Sequence, residues 1–322
     1  MIRFGIIGLG KIAAKFAQDL TIHPGASLQA VASRDAFKAQ RFADSYGANL
    51  HYDSYEKLLE DNKVDVVYIA TPNHLHYPQT LQCLEAGKHV LCEKPFALDA
   101  TQARKMIATA KAKKLFLMEA LWTRFIPATA KVLELLEAGS IGQIQSLRAD
   151  FGFAASQDPN GRLFDPALGG GSLLDIGIYP LFLSYLLLGK PESINAEAKM
   201  HYTGVDSSCS IELGYAGGQT AILESSFLET TPTEAIIEGS EGGIYMHPRF
   251  HHCEKLTIEQ QSTLSDIEVP CIGLGYYHEI DEVVNCLEAG KLQSDLMSHK
   301  DSLALMELLD AVRSLIGLRF PS

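Results

Sequence analysis

The sequence predicts two α/β units in series: a doubly wound parallel sheet, then an α+β unit with a mostly antiparallel sheet. Three observations carry this. As far as Met118, short apolar strands alternate with helices, the pattern that parallel strands with helical crossovers produce. Gly8-Leu9-Gly10-Lys11-Ile12-Ala13 lies between the first strand and the first helix. From Ile144 onward, strand follows strand without an intervening helix, which reads as antiparallel pairing.

The elements follow in order. Ile2 to Ile7 is a short apolar run, hence a buried strand, and Ala13 to Leu20 is a helix. Leu28 to Ala32 is the second strand. The next helix, Phe37 to Tyr46, has Gly47 as its stop, and Ser54 to Glu60 is helical. Val64 to Ala70 is a strand; Pro78 takes a first helical position in a helix that runs to Gly87. His89 to Cys92 is a strand. Asp99 and Gln102 have the spacing of a capping box that opens a helix to Lys113, and Leu115 to Met118 is one more strand. A helix from Ala128 to Ala138 stops at Gly139. Strands then cover Ile144 to Phe153, Ser193 to Tyr202, Ser208 to Tyr215, Thr220 to Phe227 and Glu234 to Glu238, with Gly217-Gly218 as a hairpin turn. Helices Tyr277 to Ala289 and Lys300 to Ile316 close the pattern.

The 322 residues suggest about two domains, divided here into 1–122 and 123–322. With 47% hydrophobic and 20% charged residues, the chain is globular and not disordered. Its formal net charge of −12 repels phosphate backbones and argues against general nucleic-acid binding. The first residues already read as a strand and not as a targeting segment. The longest apolar stretch, Ile176 to Leu188, is broken by Pro180 and is short for a membrane span. The six cysteines form no C-x-x-C pair, which fits isolated thiols in a reducing compartment and a cytoplasmic location. Asn73-His74-Leu75-His76 and His251-His252-Cys253 lack the supporting ligands of a metal site, so no metal is expected.

The glycine turn is the first chemical signal. Gly8 permits a tight turn, Gly10 lets the backbone approach a pyrophosphate, and Ala13 is small enough for close helix–strand packing. Lys11 and Ile12 open the helix whose unpaired N–H groups face the anion. At the end of the second strand, an acidic residue would hold a ribose 2′-hydroxyl. Ser33-Arg34-Asp35 stands there instead. Arg34 can pair with a 2′-phosphate and Lys38 can add charge, so NADP is favoured, with Asp35 keeping NAD open.

Glu93-Lys94-Pro95 follows a strand at its carboxyl end, where open parallel sheets bind ligands. Pro95 restricts Lys94, and a cis bond there would aim the lysine. A lysine so placed can stabilise negative charge on a substrate oxygen, while Glu93 can anchor a carboxamide or tune the lysine. Gly169-Gly170-Gly171-Ser172 is a flexible loop ending in a natural N-cap. Asp175 and Tyr179, four apart, share a helix face. Trp122 and Arg124, just after the last strand of the first unit, read as facing the substrate.

Gly8 to Ala13, Ala70-Thr71-Pro72-Asn73-His74 and Ala86 to Pro95 resemble the glucose-fructose oxidoreductase / inositol dehydrogenase (Gfo/Idh/MocA) family. Met118 to Phe125 and Leu174 to Tyr179 are similar to its dimeric dihydrodiol dehydrogenase branch, whose relatives include NADP-linked xylose dehydrogenases. The resemblance covers nearly the whole chain. It implies a Rossmann domain, a second domain with an open sheet, Lys94 as a catalytic lysine, and NADP. It also implies that Thr71, Pro72, Asn73 and His76 lie near the nicotinamide half, that Tyr179 donates a proton, and that Asp175 partners substrate or lysine. Many family members carry histidine at the position of Tyr179.

The expected activity is hydride transfer between NADP and a hydroxyl or carbonyl carbon of a sugar, polyol, cyclic diol or dicarbonyl. The alternatives are a cofactor-dependent glycosidase of the same fold and a non-catalytic NAD(P)-binding sensor. A homodimer through the second sheet is expected, because the strands outnumber the helices able to cover them. Ile211, Leu213, Ile222 and Phe227 are expected to supply the uncovered apolar face.

Overall fold

The computed structural model describes residues 1–321. The chain divides into two compact units, one made of Met1–Phe125 with Cys271–Leu303, the other of Ile126–Pro270 with the chain from Ala304.

In the first unit, β1 (Ile2–Ile7), β2 (Ala26–Ala32), β3 (Leu50–Tyr52), β4 (Val66–Ile69), β5 (His89–Glu93) and β6 (Leu117–Ala120) form one sheet. Its order is β3-β2-β1-β4-β5-β6 and all five pairings are parallel. The strand order reverses direction between β1 and β4, the crevice where such sheets bind ligands. Helices α1 (Lys11–Ile22), α2 (Ala36–Tyr46), α3 (Tyr55–Glu60), α4 (His76–Glu85) and α5 (Ala100–Lys113) link the strands. Gly47 ends α2 at φ 71°, as expected. Asp99 caps α5 by accepting the Gln102 N–H at 2.8 Å, and Gln102 reaches back to the Leu98 N–H at 3.1 Å. Strand β3, only three residues and largely exposed, had no apolar run to announce it. Pro78 is the third residue of α4, not the first, because the helix opens at His76.

The sequence-based division at residue 122 falls close to the first break, but it misassigned Cys271–Leu303, which belongs to the first unit. A contact between residues far apart in the sequence explains this. Asp19 on α1, 1% exposed, accepts N–H groups of Leu274 at 2.8 Å and Tyr277 at 3.0 Å. It thereby fixes the start of α8 (Tyr277–Glu288). Gly273 at φ 61° passes so near that a Cβ would lie 2.3 Å from the Asp19 carboxylate.

The second unit opens with α6 (Pro127–Glu137). Its sheet contains β7 (Ile144–Gly152), β8 (Ser193–Met200), β9 (Asp206–Gly214), β10 (Thr220–Ser226), β11 (Ala235–Gly239), β12 (Gly242–Met246), β13 (Lys255–Gln260) and β14 (Thr263–Glu268). The order is β14-β13-β12-β11-β7-β10-β9-β8; β7 and β10 run parallel and every other pair antiparallel. Strand alternation sends Leu147, Ile211, Leu213, Leu223 and Ile237 to a buried face, packed by α7 (Ile178–Leu188) and the π-helical turn Leu173–Gly177. The stretch Pro166–Leu188, 23 residues, is long and apolar enough by composition to cross a membrane; it outruns the stretch from Ile176 because the short helix Pro166–Leu168 and the turn Leu173–Gly177 precede α7, and α7 itself runs through Pro180. Of its apolar 18-residue window, 78% is buried inside the fold, where α7 serves as a core helix. The last helix, α9, spans His299–Ile316.

The face opposite α7 is not the apolar surface expected. Ile211, Leu213 and Phe227 are at most 2% exposed, covered within the unit, and only Ile222 of the four faces outward, 42% exposed. The register aligns Glu212, Ile222, Arg148, Ile236 and Tyr245 in one row across that face, a mixture of apolar and charged groups.

Candidate active site

At the end of β1, Gly8 adopts φ 84°, and a Cβ there would lie 2.5 Å from the Ala70 backbone after β4. This turn requires glycine for both reasons. Gly10 is different. A Cβ on it would meet nothing nearer than the Gly8 carbonyl oxygen at 4.0 Å, so its outer side opens on free space. Gly10 precedes α1, which has no side-chain cap and no acidic residue in its first turn. Lys11 and Ile12 are exposed and Ala13 is fully buried. A capless helix N-terminus beside an open glycine fits a pyrophosphate.

The end of β2 resolves the role of Asp35. Its carboxylate accepts the Lys38 N–H at 3.1 Å and caps α2, and the Ser33 hydroxyl accepts the Asp35 N–H at 3.2 Å. Arg34 and Lys38 are exposed. The only acid in this stretch therefore serves the helix, and two cations face solvent beside it.

The end of β5 carries Lys94, and the Lys94–Pro95 bond is cis. Three groups fasten this segment. Glu93 accepts a hydrogen bond from the Tyr68 hydroxyl and one from the Lys94 N–H at 3.2 Å. Glu119 on β6, 1% exposed, accepts the Phe96 N–H at 3.0 Å. Burial raises the Glu119 carboxyl to about 7, against hydrogen bonds from Ser302 and Phe96 that favour its ionised form. His76, 1% exposed, sets Nδ1 2.7 Å from the Pro95 carbonyl oxygen and Nε2 2.9 Å from that of Thr71. Burial lowers the ring to about 4, so at neutral pH it carries one N–H and donates to one carbonyl at a time. Both its nitrogens lie within hydrogen-bond distance of backbone carbonyls, so the buried ring is held between the Thr71 and Pro95 segments.

The remaining residues of this unit fall nearby in the fold. The Thr71 hydroxyl donates to Gln79 at 2.6 Å, Asn73 is 7% exposed, and Pro72 is half-buried. Trp122 stacks on Tyr276 with ring centroids 4.6 Å apart. Arg124 donates from Nε to the Leu296 carbonyl at 2.8 Å, and burial lowers its pKa. Tyr276 was not anticipated, because it comes from the distant segment that returns to this unit.

In the second unit, the glycine loop leads to the π-helical turn. Ser172 is not the expected N-cap: its backbone is already helical, at φ −67°. Its hydroxyl donates to Asp206 at 2.7 Å and lies 2.9 Å from the Ser225 hydroxyl. Asp206, fully buried and raised by that burial to about 6, also accepts the Leu173 N–H at 2.7 Å. Gly171, at φ 116°, leaves room for that carboxylate, which a Cβ would approach to 2.3 Å. Asp175 is 9% exposed and Tyr179 is 7% exposed. Arg162 forms a two-pronged ion pair with Asp175, Nη1 to Oδ1 at 2.9 Å and Nη2 to Oδ2 at 3.2 Å. Against Tyr179 lie Phe151, with centroids 5.6 Å apart, and His251, at 5.0 Å. Arg162 lies in a turn and His251 in the short 3-10 helix Phe250–His252, and no local sequence pattern marks either beyond the metal role discounted above.

The sheet order, the glycine turn and the lysine after β5 define a dinucleotide-binding oxidoreductase with a second α/β unit. The chain belongs to the Gfo/Idh/MocA oxidoreductase family. Residues 2–121 match its NAD-binding Rossmann fold and residues 129–245 its C-terminal domain. Trans-1,2-dihydrobenzene-1,2-diol dehydrogenase of Mus musculus is 36% identical over 99% of this chain and 98% of its own, and that of Homo sapiens is 34% identical over the same shares. A 3-ketoreductase from Actinomadura kijaniata, solved with NADP and TDP-benzene, superposes with a TM-score of 0.89 at 30% identity over 98% of each chain. An aldose-aldose oxidoreductase from Caulobacter crescentus, solved with glycerol, has a TM-score of 0.89 at 25% identity over 98% of this chain and 97% of its own.

Proposed function

We propose that this protein is an NADP-dependent dehydrogenase or reductase acting on a hydroxyl or carbonyl carbon of a sugar, polyol, cyclic diol or dicarbonyl. The observation that carries the reading is Lys94, set at the carboxyl end of β5 on a segment held by Glu93, Glu119 and His76. The diol and sugar chemistry of the relatives named above supports the substrate class.

Gly8, Gly10 and the start of α1 would hold the pyrophosphate, with Arg34 and Lys38 on the 2′-phosphate. The bound nicotinamide supplies or accepts the hydride. Lys94 stabilises the negative charge that develops on the substrate oxygen, Tyr179 exchanges the hydroxyl proton, and Asp175 orients the substrate. Trp122 and Arg124 belong to the substrate side of the first unit. A screen of aldoses, diols and dicarbonyls with NADP and NADPH tests this: the reading requires a net change in nicotinamide absorbance. Turnover of a glycoside with no net change would favour the glycosidase alternative, and no turnover with tight cofactor binding would favour the sensor.

What supports a homodimer through the open sheet face is Ile222, 42% exposed there and aligned in the register with Glu212 and Arg148. The six free cysteines, five of them buried, support a cytoplasmic location.

A further inference from the structure

We propose that Arg162 is a positioning residue that holds the Asp175 carboxylate in one plane and one orientation for its work on the substrate. The inference rests on the reading of Asp175 given above and adds a residue to it. A carboxylate on a side chain only 13% exposed is costly to keep ionised unless a cation and hydrogen bonds compensate. Arg162 supplies both through its planar fork, a geometry that lysine cannot reproduce.

The fork is itself fixed. Gly171 N–H donates to the Leu163 carbonyl at 2.9 Å and Gly170 N–H to that of Asp165 at 3.0 Å, tying the glycine loop to the segment that bears Arg162. A Cβ on Gly170 would lie 2.7 Å from the Leu163 carbonyl oxygen, so the two strands of this loop lie in close contact. Two residues beyond Arg162, Phe164 is fully buried against Phe227, and its carbonyl accepts the Thr203 hydroxyl at 2.6 Å. The guanidinium is about half exposed, at 49%, yet it rises from an anchored backbone. The glycines, which the sequence presents as a flexible loop, here allow close packing and backbone hydrogen bonds. Asp175 begins the face that Tyr179 continues one turn later, so a rotation of its carboxylate would misplace the group that orients substrate beside the proton donor.

The test compares Arg162→Lys, Arg162→Gln, Asp175→Asn and the Arg162→Gln/Asp175→Asn double variant with the parent. The probe is whichever of D-xylose, a cyclic trans-diol and diacetyl is turned over fastest. A displacement of about 1 Å at a reacting group costs up to about 100-fold, so Arg162→Gln is expected to lower kcat/KM by about 10- to 100-fold. Arg162→Lys should keep the charge but lose the fork, falling between the two with the larger change in KM. The double variant should be no worse than Asp175→Asn alone. NADP affinity should be unchanged in all four, which separates this role from general unfolding; if the glutamine variant fails to fold, the lysine variant carries the test. Arg162→Gln and Arg162→Lys at parental kcat/KM beside an impaired Asp175→Asn would overturn the inference and leave the proposed function standing. A silent Asp175→Asn would overturn the role of Asp175 itself, and the inference with it.

Discussion

The Asp35 carboxylate accepts the Lys38 N–H at 3.1 Å, so the one acid at the end of β2 caps a helix. Arg34 beside it remains exposed. A charged hydrogen bond contributes roughly 1.5–3 kcal/mol. Arg34→Ala should therefore weaken NADP about tenfold or more and leave NAD nearly unchanged. Dissociation constants of both cofactors for both proteins check this; equal losses for the two would remove Arg34 from the 2′-phosphate.

Gly8 and Gly10 should separate folding from binding. Gly8→Ala forces a Cβ into the Ala70 backbone at φ 84°, so it should cost more than about 1 kcal/mol of stability and impair cofactor binding as well. Gly10→Ala meets no neighbour inside 4.0 Å and should fold with parental stability while losing dinucleotide affinity. Urea unfolding and cofactor titration of both variants check the pair; equal destabilisation would contradict the assignment.

Glu119 should make stability pH-dependent. Its carboxyl sits near 4.5 when unfolded and at about 7 in the fold. A raised folded value means its contribution is fully present below pH ~4.5 and is lost as pH rises towards ~7, by about 3 kcal/mol. Glu119→Gln, which stays neutral, should therefore be more stable than the parent at pH 8, with the advantage gone at pH 4. A difference that does not change over this range would show that the group does not titrate there.

The same residues show how much the sequence disclosed. The strand–helix alternation and the glycine turn gave the first sheet, because short apolar strands and phosphate turns are local patterns. The cis Lys94–Pro95 bond was raised by the proline itself. Strands β12 to β14 were not foreseen; glycines at Gly242 and Gly243 and the largely polar β14 blur their alternation. The return of Cys271–Leu303 to the first unit depends on Asp19, more than 250 positions earlier. Arg162 meets Asp175 through a loop whose path no local pattern encodes.

The open sheet face predicts a particle of about 70 kDa, twice the 35.2 kDa chain, in light scattering at micromolar concentration. Ile222→Lys, placed between Glu212 and Arg148 in the register, should shift it towards the monomer. A monomer in the parent protein would remove the dimer from the account.

The central claim is the proposed pair of roles, Lys94 stabilising developing negative charge and Tyr179 exchanging the proton. Losing a general acid costs roughly 10²–10⁴-fold, and losing an electrostatic donor roughly 10²–10³-fold. The decisive measurement is turnover and NADP affinity for Lys94→Met, Tyr179→Phe and the double variant, under conditions where chemistry limits the rate. Each single variant should lose its turnover by those factors and still bind NADP. The double variant should be no more active than the weaker single variant and should still bind NADP. A Tyr179→Phe protein that keeps most of its turnover would contradict the account.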